Sequence, residues 1–165
     1  MKLALSILVA GAVSASAAAA GDEGTFRFLR TYVQDYTTIE LAGTQVTGGS
    51  LEGVVSIVDA SDGPFAPGTH FRVTCVVSSK TSGQDFTLEA PCTADDASGD
   101  QWYTISRRSS GDIETGGGGG IELAGGTGAF AGVTGSCTYD VSYLDDGWVS
   151  MIADCIWQRQ AEEDG

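Results

Sequence analysis

The sequence predicts an all-β domain of about eight antiparallel strands, arranged as a barrel or a sandwich. Apolar and polar residues alternate in most segments after residue 20, without the i, i+3, i+4 spacing of an amphipathic helix. Clusters of Gly, Asp, Ser and Pro separate these segments about every 8–15 residues, as hairpin connections do. Four cysteines also lie symmetrically about two short turn sequences, which supports the same layout.

The N-terminal segment has the features of a secretory signal. Lys2 precedes an apolar run over residues 3–13, and small residues follow up to Ala20. The run is shorter than the roughly 20 residues that span a bilayer. We therefore predict a signal peptide over 1–20, one domain over 21–160 and a disordered tail over 161–165. The product is expected to be periplasmic or extracellular.

The charge of the chain restricts its partners. The formal net charge is −14, and the acidic residues are dispersed along the sequence. Such a chain is repelled by nucleic acid and by anionic membrane surfaces. We predict no nucleic-acid partner and no stable membrane insertion.

The first four predicted strands each have a recognisable apolar pattern. The segment TFRFLRTYV places Phe26, Phe28 and Tyr32 on one face, and LEGVVSIV is apolar almost throughout. The next two strands are HFRVTCVV and DFTLEAPC. Cys75 lies on the more apolar face of the first, and Cys92 lies on the more apolar face of the second.

The remaining strands are assigned in the same way. In QWYTISRR the residues Tyr103, Ile105 and Arg107 share a face, which we assign to the interior. The GGGGG run before the next strand has low complexity and is predicted to be a mobile loop. The last three predicted strands are GGGIEL, SCTYDVSY and WVSMIADCIWQR.

The cysteine positions predict two disulfides. Four cysteines allow three pairings. Cys75 and Cys92 are equidistant from a two-residue GQ loop, and Cys137 and Cys155 are equidistant from a DDG loop. The two cysteines of each pair therefore lie opposite one another across a hairpin. Facing Cα atoms approach most closely at non-hydrogen-bonded positions, which suits a disulfide. We predict Cys75–Cys92 and Cys137–Cys155.

The stretch AGGTGAFAGVTG, residues 124–135, matches the GxGxxA pattern of dinucleotide-binding loops. A phosphate loop needs a helix directly after it, whose amide groups receive the phosphates. An alternating strand follows here instead. The glycines therefore predict a tight corner between strands that holds Phe130, rather than a nucleotide site.

The segment GGTGAFAGVTGSCTYDV resembles a GGTGxFxGxxG motif of the allene oxide cyclase and dirigent-like β-barrel superfamily. Together with CTADDASGDQWYTI, it is similar to small bacterial secreted proteins that carry such a domain. The resemblance covers roughly residues 70–158 and implies an eight-stranded, calycin-like antiparallel barrel with an apolar cavity. The motif residues are implied to be structural: Gly125, Gly126, Gly128, Phe130, Gly132 and Gly135. The polar catalytic groups of the cyclases have no counterparts that can be placed on this chain.

The resemblance and the alternation together suggest a ligand site inside the barrel. Its candidate residues are Tyr103, Arg107, Tyr139, Tyr143 and Trp157. We favour a barrel that binds a small apolar or amphipathic ligand. The alternatives are an isomerase or cyclase that acts by confinement, and a structural or interaction protein with a filled barrel. A cavity above about 300 Å³ lined by Tyr and Trp would favour the first two, whereas a filled core would exclude both.

Few other residues suggest chemistry. His70 is the only histidine, so a histidine-rich metal site is excluded and a catalytic triad would have to use it. Asp95, Asp96 and Asp100 form an acidic turn that offers oxygen ligands for Ca²⁺ but lacks the EF-hand spacing. The sequence leaves open whether this turn binds calcium or is only solvated. We predict no cofactor and no metal, and self-association is left open because barrels with this resemblance often associate.

Overall fold

The strands form a closed antiparallel barrel in chain order. A computed structural model describes residues 23–108 and 110–160, so the predicted signal peptide and tail lie outside the described residues. The predicted all-β class and the eight-stranded barrel are confirmed. The strands are β1 Glu23–Leu41, β2 Thr44–Ala60, β3 His70–Ser82, β4 Asp85–Asp95, β5 Gln101–Arg108, β6 Gly117–Gly126, β7 Val133–Tyr143 and β8 Trp148–Arg159.

Short turns of the expected chemistry set the strand register. Ser82 pairs with Asp85 around a two-residue loop, and Gly83 at its first position has a φ of 60°. This is the left-handed conformation that glycine adopts at low cost, and a II′ turn requires it there. The DDG connection between β7 and β8 also forms as expected, with Asp146 at φ 58° and Gly147 at φ 77°.

The two predicted disulfides are confirmed. Cys75 bonds to Cys92 and Cys137 bonds to Cys155, each directly across its own hairpin. Both pairs have Cα atoms 4.0 Å apart. All four cysteines are buried on the inner face, where they form part of the apolar core.

The inner face follows the period of two. Along β3 every second residue is buried, and Val73 and Val77 lie among the most completely buried side chains. Burying one such side chain contributes roughly 1.5–3 kcal/mol. Within the described residues there is no helix long and apolar enough to cross a membrane.

The GGGGG run does not form the mobile loop that was predicted for it. Gly117–Gly120 begin β6 and are not a mobile loop. Gly119 faces the interior, and a Cβ there would lie 2.6 Å from the phenol carbon and oxygen of Tyr139. The absence of a side chain at this position therefore makes room for the Tyr139 ring against the barrel wall.

Candidate functional site

Aromatic side chains close one end of the barrel. The connection from β2 to β3 turns back over this end and inserts Phe65, which is fully buried. Its ring stacks on Phe26 with 3.7 Å between centroids and meets the edge of Trp102 at 5.3 Å. Phe130 packs against the same ring at 5.3 Å. A ligand could pass through this end only by displacing the rings.

The glycine motif forms the corner that delivers Phe130 to this aromatic cluster. Thr127 donates its backbone N–H to the Gln101 carbonyl, and its hydroxyl accepts the Gln101 N–H at 2.9 Å. Gly128 has a φ of 51°, and a Cβ on it would collide with the Asp100 carboxylate. That carboxylate accepts the backbone N–H of Ala129 at 2.9 Å. These contacts hold the corner in place, and the strand β7 follows it.

Arg30 is buried in the middle of the barrel, with 0% exposure. Its guanidinium carbon lies 4.5 Å from the ring centroid of Phe28 and 5.2 Å from that of Trp102. The guanidinium donates to the hydroxyls of Tyr32 and Thr104, both at 3.2 Å. A guanidinium stays protonated in proteins, so the core holds a positive charge. Because the Tyr32 oxygen accepts from Arg30, its own proton is free to be donated elsewhere.

Above Arg30 lies a small interior cavity, which we call the tyrosine chamber. Its enclosed volume is about 30 Å³, and the empty space between its lining atoms, open mouth included, is about 400 Å³. A volume of this size has room for about one or two water molecules. The enclosed volume of this chamber is well below the roughly 300 Å³ that would favour a ligand-binding or confining barrel. The polar lining residues are Tyr32, Tyr36, Ser106, Arg108, Tyr139 and Tyr143, and the others include Leu88, Ala90, Met151 and the Cys75–Cys92 disulfide.

Arg108 is the most incompletely bonded group of the chamber. It is 3% exposed, and its Nη2 donates to the Asp112 carbonyl at 2.6 Å. Its Nε and Nη1 have no hydrogen-bond partner among residues 23–108 and 110–160. The same is true of the buried hydroxyls of Ser106 and Tyr36. Leaving a buried polar group unpaired costs about 1–3 kcal/mol, and more for a charged one, so such a cluster needs an explanation.

Three phenols of the chamber, those of Tyr32, Tyr36 and Tyr139, have raised pKa values and remain protonated over the ordinary pH range. Burial raises the pKa of Tyr139 to about 12, although the charge of Arg108 opposes the shift. Burial also raises the pKa of Tyr36, with a further contribution from its neighbour Tyr143. For Tyr32, burial raises the pKa and outweighs the opposing effect of Arg30. These hydroxyls can act as hydrogen-bond donors, and they are too weakly acidic to serve as bases at neutral pH.

A groove on the outer surface borders the chamber. The strand β5 ends at Arg108, whereas β4 and β6 continue beyond it on either side. The groove beyond this end has a volume of about 470 Å³ and includes Lys80, Glu89 and the glycines of β6. Leu88 and Arg108 line both the groove and the chamber. At this point the side chains of Leu88 and Arg108 therefore separate the chamber from the groove.

The structure brings together some of the candidate ligand residues and separates others. Tyr139 and Tyr143 lie in the chamber. Trp157 is buried at the opposite, closed end, with its ring 6.3 Å from Phe65. The expectation that Tyr103 and Arg107 face the interior was wrong. Both lie on the outer face of β5, because its inward positions are the intervening residues Trp102, Thr104, Ser106 and Arg108.

Arg107 has partners on the outer surface. Its Nε donates to Glu89 at 2.9 Å and its Nη1 to Glu122 at 2.8 Å. These three side chains are about half exposed. Exposed ion pairs of this kind contribute about 0–1 kcal/mol each, so we assign Arg107 a surface role.

Sequence reasoning missed Arg30 and Arg108, and a signal for each was present. Arg30 lies between Phe28 and Tyr32 at the same parity of β1, so the alternation already placed it inside. For β5 the signal was its register with β4, across the turn that connects the two strands. Cys92 faces inward and pairs with Thr104, which fixes Thr104, Ser106 and Arg108 as inward-facing.

The acidic turn is held together by its own hydrogen bonds. One Asp96 carboxylate oxygen accepts the Ser98 N–H, the Ser98 hydroxyl and the Asp100 N–H at 2.7–3.0 Å. The Ser98 hydroxyl makes the largest contribution to lowering the pKa of Asp96. Within residues 23–108 and 110–160, no group of three or more His, Cys, Asp or Glu side chains is arranged to hold a metal ion.

Two solved dirigent proteins share this barrel architecture. No family model matches the sequence, and no curated protein matches it significantly. The pterocarpan synthase dirigent protein PsPTS1 superposes with a TM-score of 0.56 at 13% identity, covering 87% of this chain and 99% of that one. The pterocarpan synthase dirigent protein GePTS1 gives a TM-score of 0.55 at 14% identity, covering 92% and 100%. At this identity the likeness shows a shared fold, and the chain has a dirigent-like barrel.

Proposed function

We propose that this chain is an exported β-barrel protein that binds a small amphipathic ligand in the tyrosine chamber. The observation that carries the proposal is the set of buried donors around the chamber: Arg108 Nε and Nη1 and the hydroxyls of Ser106 and Tyr36 lack partners. Buried polar groups in native proteins are nearly always paired. A bound ligand with acceptor atoms would supply the missing partners.

The small enclosed volume requires the chamber to expand on binding. Leu88 and Met151 have flexible side chains, and Met adapts readily to irregular spaces. Rotation of these side chains would join the chamber to its mouth and to the outer groove. The ligand we propose is therefore no larger than one or two rings.

Export is part of the same proposal. The sequence predicts a signal peptide over residues 1–20, and all four cysteines are paired in disulfides. Structural disulfides persist in oxidising compartments. We propose a periplasmic or extracellular protein of bacterial origin, and the resemblance of its glycine motif suggests a relation to the allene oxide cyclase-like barrels.

An isomerase or cyclase is less well supported by the chamber. The named neighbours are pterocarpan synthases, so a confining reaction is a natural alternative. The residues that line the chamber include no histidine and no carboxylate that could act as a base. Its phenols and Arg108 could only donate hydrogen bonds to a reacting oxygen.

A structural or interaction protein is the second alternative, and the packed closed end favours it. Several large apolar side chains are also exposed on the outer faces of β1 and β8, and these are Leu29, Val33, Trp148, Ile152 and Ile156. Contiguous apolar surface is typical of interaction sites. Self-association through this face belongs to this alternative.

Native mass spectrometry of the chain secreted by its own host tests the proposal. We expect a co-purified small molecule that is lost from the variant Ala90→Val, because Ala90 lines the chamber. The matched control is Ala94→Val, which makes the same change on the same face of β4 but outside the chamber lining. Equal retention by both variants, or no bound molecule at all, would favour the interaction protein instead.

A further inference from the structure

Three of the four exposed arginines in the described residues pair with carboxylates, and the fourth, Arg159, donates to the Ala129 carbonyl. Arg27 donates to both carboxylate oxygens of Asp154, at 2.6 and 3.0 Å. Arg107 bridges Glu89 and Glu122. The surface therefore compensates most of its arginines with carboxylates, as expected for a chain of net charge −14.

The interior does the opposite. Its two buried charged side chains are Arg30 and Arg108, and the other buried polar side chains of the described residues are the hydroxyls of Thr47, Ser79, Thr104 and Ser106. The described interior thus holds two positive charges and no negative one. Burying a charge without a counter-charge is strongly unfavourable.

The two arginines differ in how far the protein compensates them. Arg30 has two aromatic faces and two hydroxyl acceptors, and only its Nε lacks a partner. Arg108 has one carbonyl acceptor, at Asp112, and both Nε and Nη1 remain free. Its aromatic neighbours are more distant, with the guanidinium carbon 5.0 Å from the Phe86 centroid and 5.8 Å from the Tyr143 centroid. Arg108 is therefore the charge with room for a further acceptor.

Arg108 can also be reached from solvent with little rearrangement. It lines both the chamber and the outer groove beyond the end of β5, and only Leu88 shares that position. The aromatic plug lies at the opposite end of the barrel. An anion that enters through the groove would meet Arg108, which is the buried charge that lines it.

We propose that the ligand of the tyrosine chamber is an organic anion, specifically a small aromatic carboxylic acid whose carboxylate is held by Arg108 and the Ser106 hydroxyl. This inference rests on the proposed function and names the class of its ligand. The carboxylate accepts from Nε and Nη1 and supplies the missing counter-charge. The ring packs among Tyr139, Tyr143 and Met151.

A single negative charge suits the site better than a polyanion. The chamber lining is largely apolar, and the surrounding surface is strongly negative, which repels multiply charged ligands. An aromatic ring matches the tyrosine faces, and a planar carboxylate matches the donors of a guanidinium.

Calorimetric titration of the native full-length chain gives the first test, with benzoate and its neutral isostere benzamide as probes. We expect benzoate to bind at least about tenfold more tightly, as for a charge-assisted hydrogen bond to a buried cation. Equal affinities would overturn the charge assignment but leave the chamber as a binding site. If neither probe binds, both this inference and the proposed function fail.

Variants of two adjacent arginines give the second test. Arg108→Gln should reduce benzoate affinity about tenfold or more and leave benzamide affinity within a factor of about three. Arg107→Gln is the matched control, because it removes a neighbouring positive charge from the outer face of the same strand. Equal loss in both variants would mean that general surface charge, and not Arg108, attracts the anion. If Arg108→Gln does not fold, the difference between benzoate and benzamide affinity on the native chain remains the test of the proposal.

Discussion

Arg30 illustrates how a barrel core accommodates a charge at a single inward position. The rings of Phe28 and Trp102 lie 4.5 and 5.2 Å from its guanidinium carbon. A desolvated cation–π contact contributes about 2 kcal/mol, and the hydroxyls of Tyr32 and Thr104 accept two hydrogen bonds. These contacts offset much of the cost of burial, and the orientation of the Tyr32 hydroxyl towards the chamber follows from them.

Gly128 combines a left-handed backbone with a close side-chain contact in the glycine corner. Its φ of 51° is unfavourable for any side chain, and a Cβ would displace the Asp100 carboxylate from the Ala129 N–H. We expect Gly128→Ala to lower the free energy of unfolding by about 1 kcal/mol for the backbone and about 1–3 kcal/mol more for the lost hydrogen bond. Urea unfolding followed by circular dichroism measures the loss.

Gly83→Ala is the control for this prediction. Gly83 has a similar φ of 60°, but nothing lies within 4 Å of the position that a Cβ would occupy. It should therefore lose only the backbone contribution. If the two variants lost the same stability, the contact with Asp100 would have no energetic role.

At the scale of the element, β5 shows why apolar patterning fails beside a polar interior. One face carries Tyr103 and Ile105, and the other carries Trp102 with Thr104 and Ser106. Counting apolar residues favours the first face, yet the second faces inward. The inward side chains Thr104, Ser106 and Arg108 are polar, so in the sequence they resemble surface residues. Pairing with an already assigned strand is the more reliable guide, because register follows from turn geometry.

The two disulfide-linked hairpins should contribute nearly equally to stability. The cysteine separations are 17 and 18 residues, so the loop-closure entropies removed from the unfolded chain are almost identical. We expect the double variants Cys75→Ala/Cys92→Ala and Cys137→Ala/Cys155→Ala each to lose about 3 kcal/mol in urea unfolding. Only the first pair lines the chamber, so only its loss should weaken ligand binding.

Each double variant is the control for the other. A stability loss in one pair that exceeds the other severalfold would show that local packing, rather than loop closure, dominates. Weaker ligand binding in both would show that the hairpins affect the chamber through the whole barrel.

At the scale of the whole molecule, the buried phenols predict a limit to stability at high pH. Burial raises the pKa of Tyr139 to about 12, and it also raises the pKa of Tyr32 and Tyr36. In the unfolded chain these phenols ionise near pH 10, so unfolding releases protons above that pH. Their contribution is fully present below about pH 10 and is lost as the pH rises through the folded values. Urea unfolding across this range should show stability that falls above about pH 10.

The absorbance of phenolate gives an independent measurement on the same samples. Of the five tyrosines in the sequence, at least three should resist ionisation until the barrel unfolds. Ionisation of all five while the circular dichroism remains native would contradict the burial of the chamber.

Much of this molecule follows from local sequence. The alternation predicts the eight strands, and the symmetry of the cysteines about the GQ and DDG loops predicts both disulfides. The strand after AGGTGAFAGVTG predicts that its glycines form a corner. These features depend on residues that are neighbours along the chain or across one hairpin, where a period of two and a turn type determine the outcome.

The site depended on the tertiary structure. Closure of β8 onto β1 brings Arg108, Tyr36 and Tyr139 from three distant segments around one chamber. The volume of that chamber depends on side-chain packing across the barrel, which no single hairpin specifies. The sequence by itself therefore determined the fold, its disulfides and its glycine corner. Only the tertiary structure decided which partners the inward-facing arginines find, because partners such as Thr104 for Arg30 come from strands that meet only in the closed barrel.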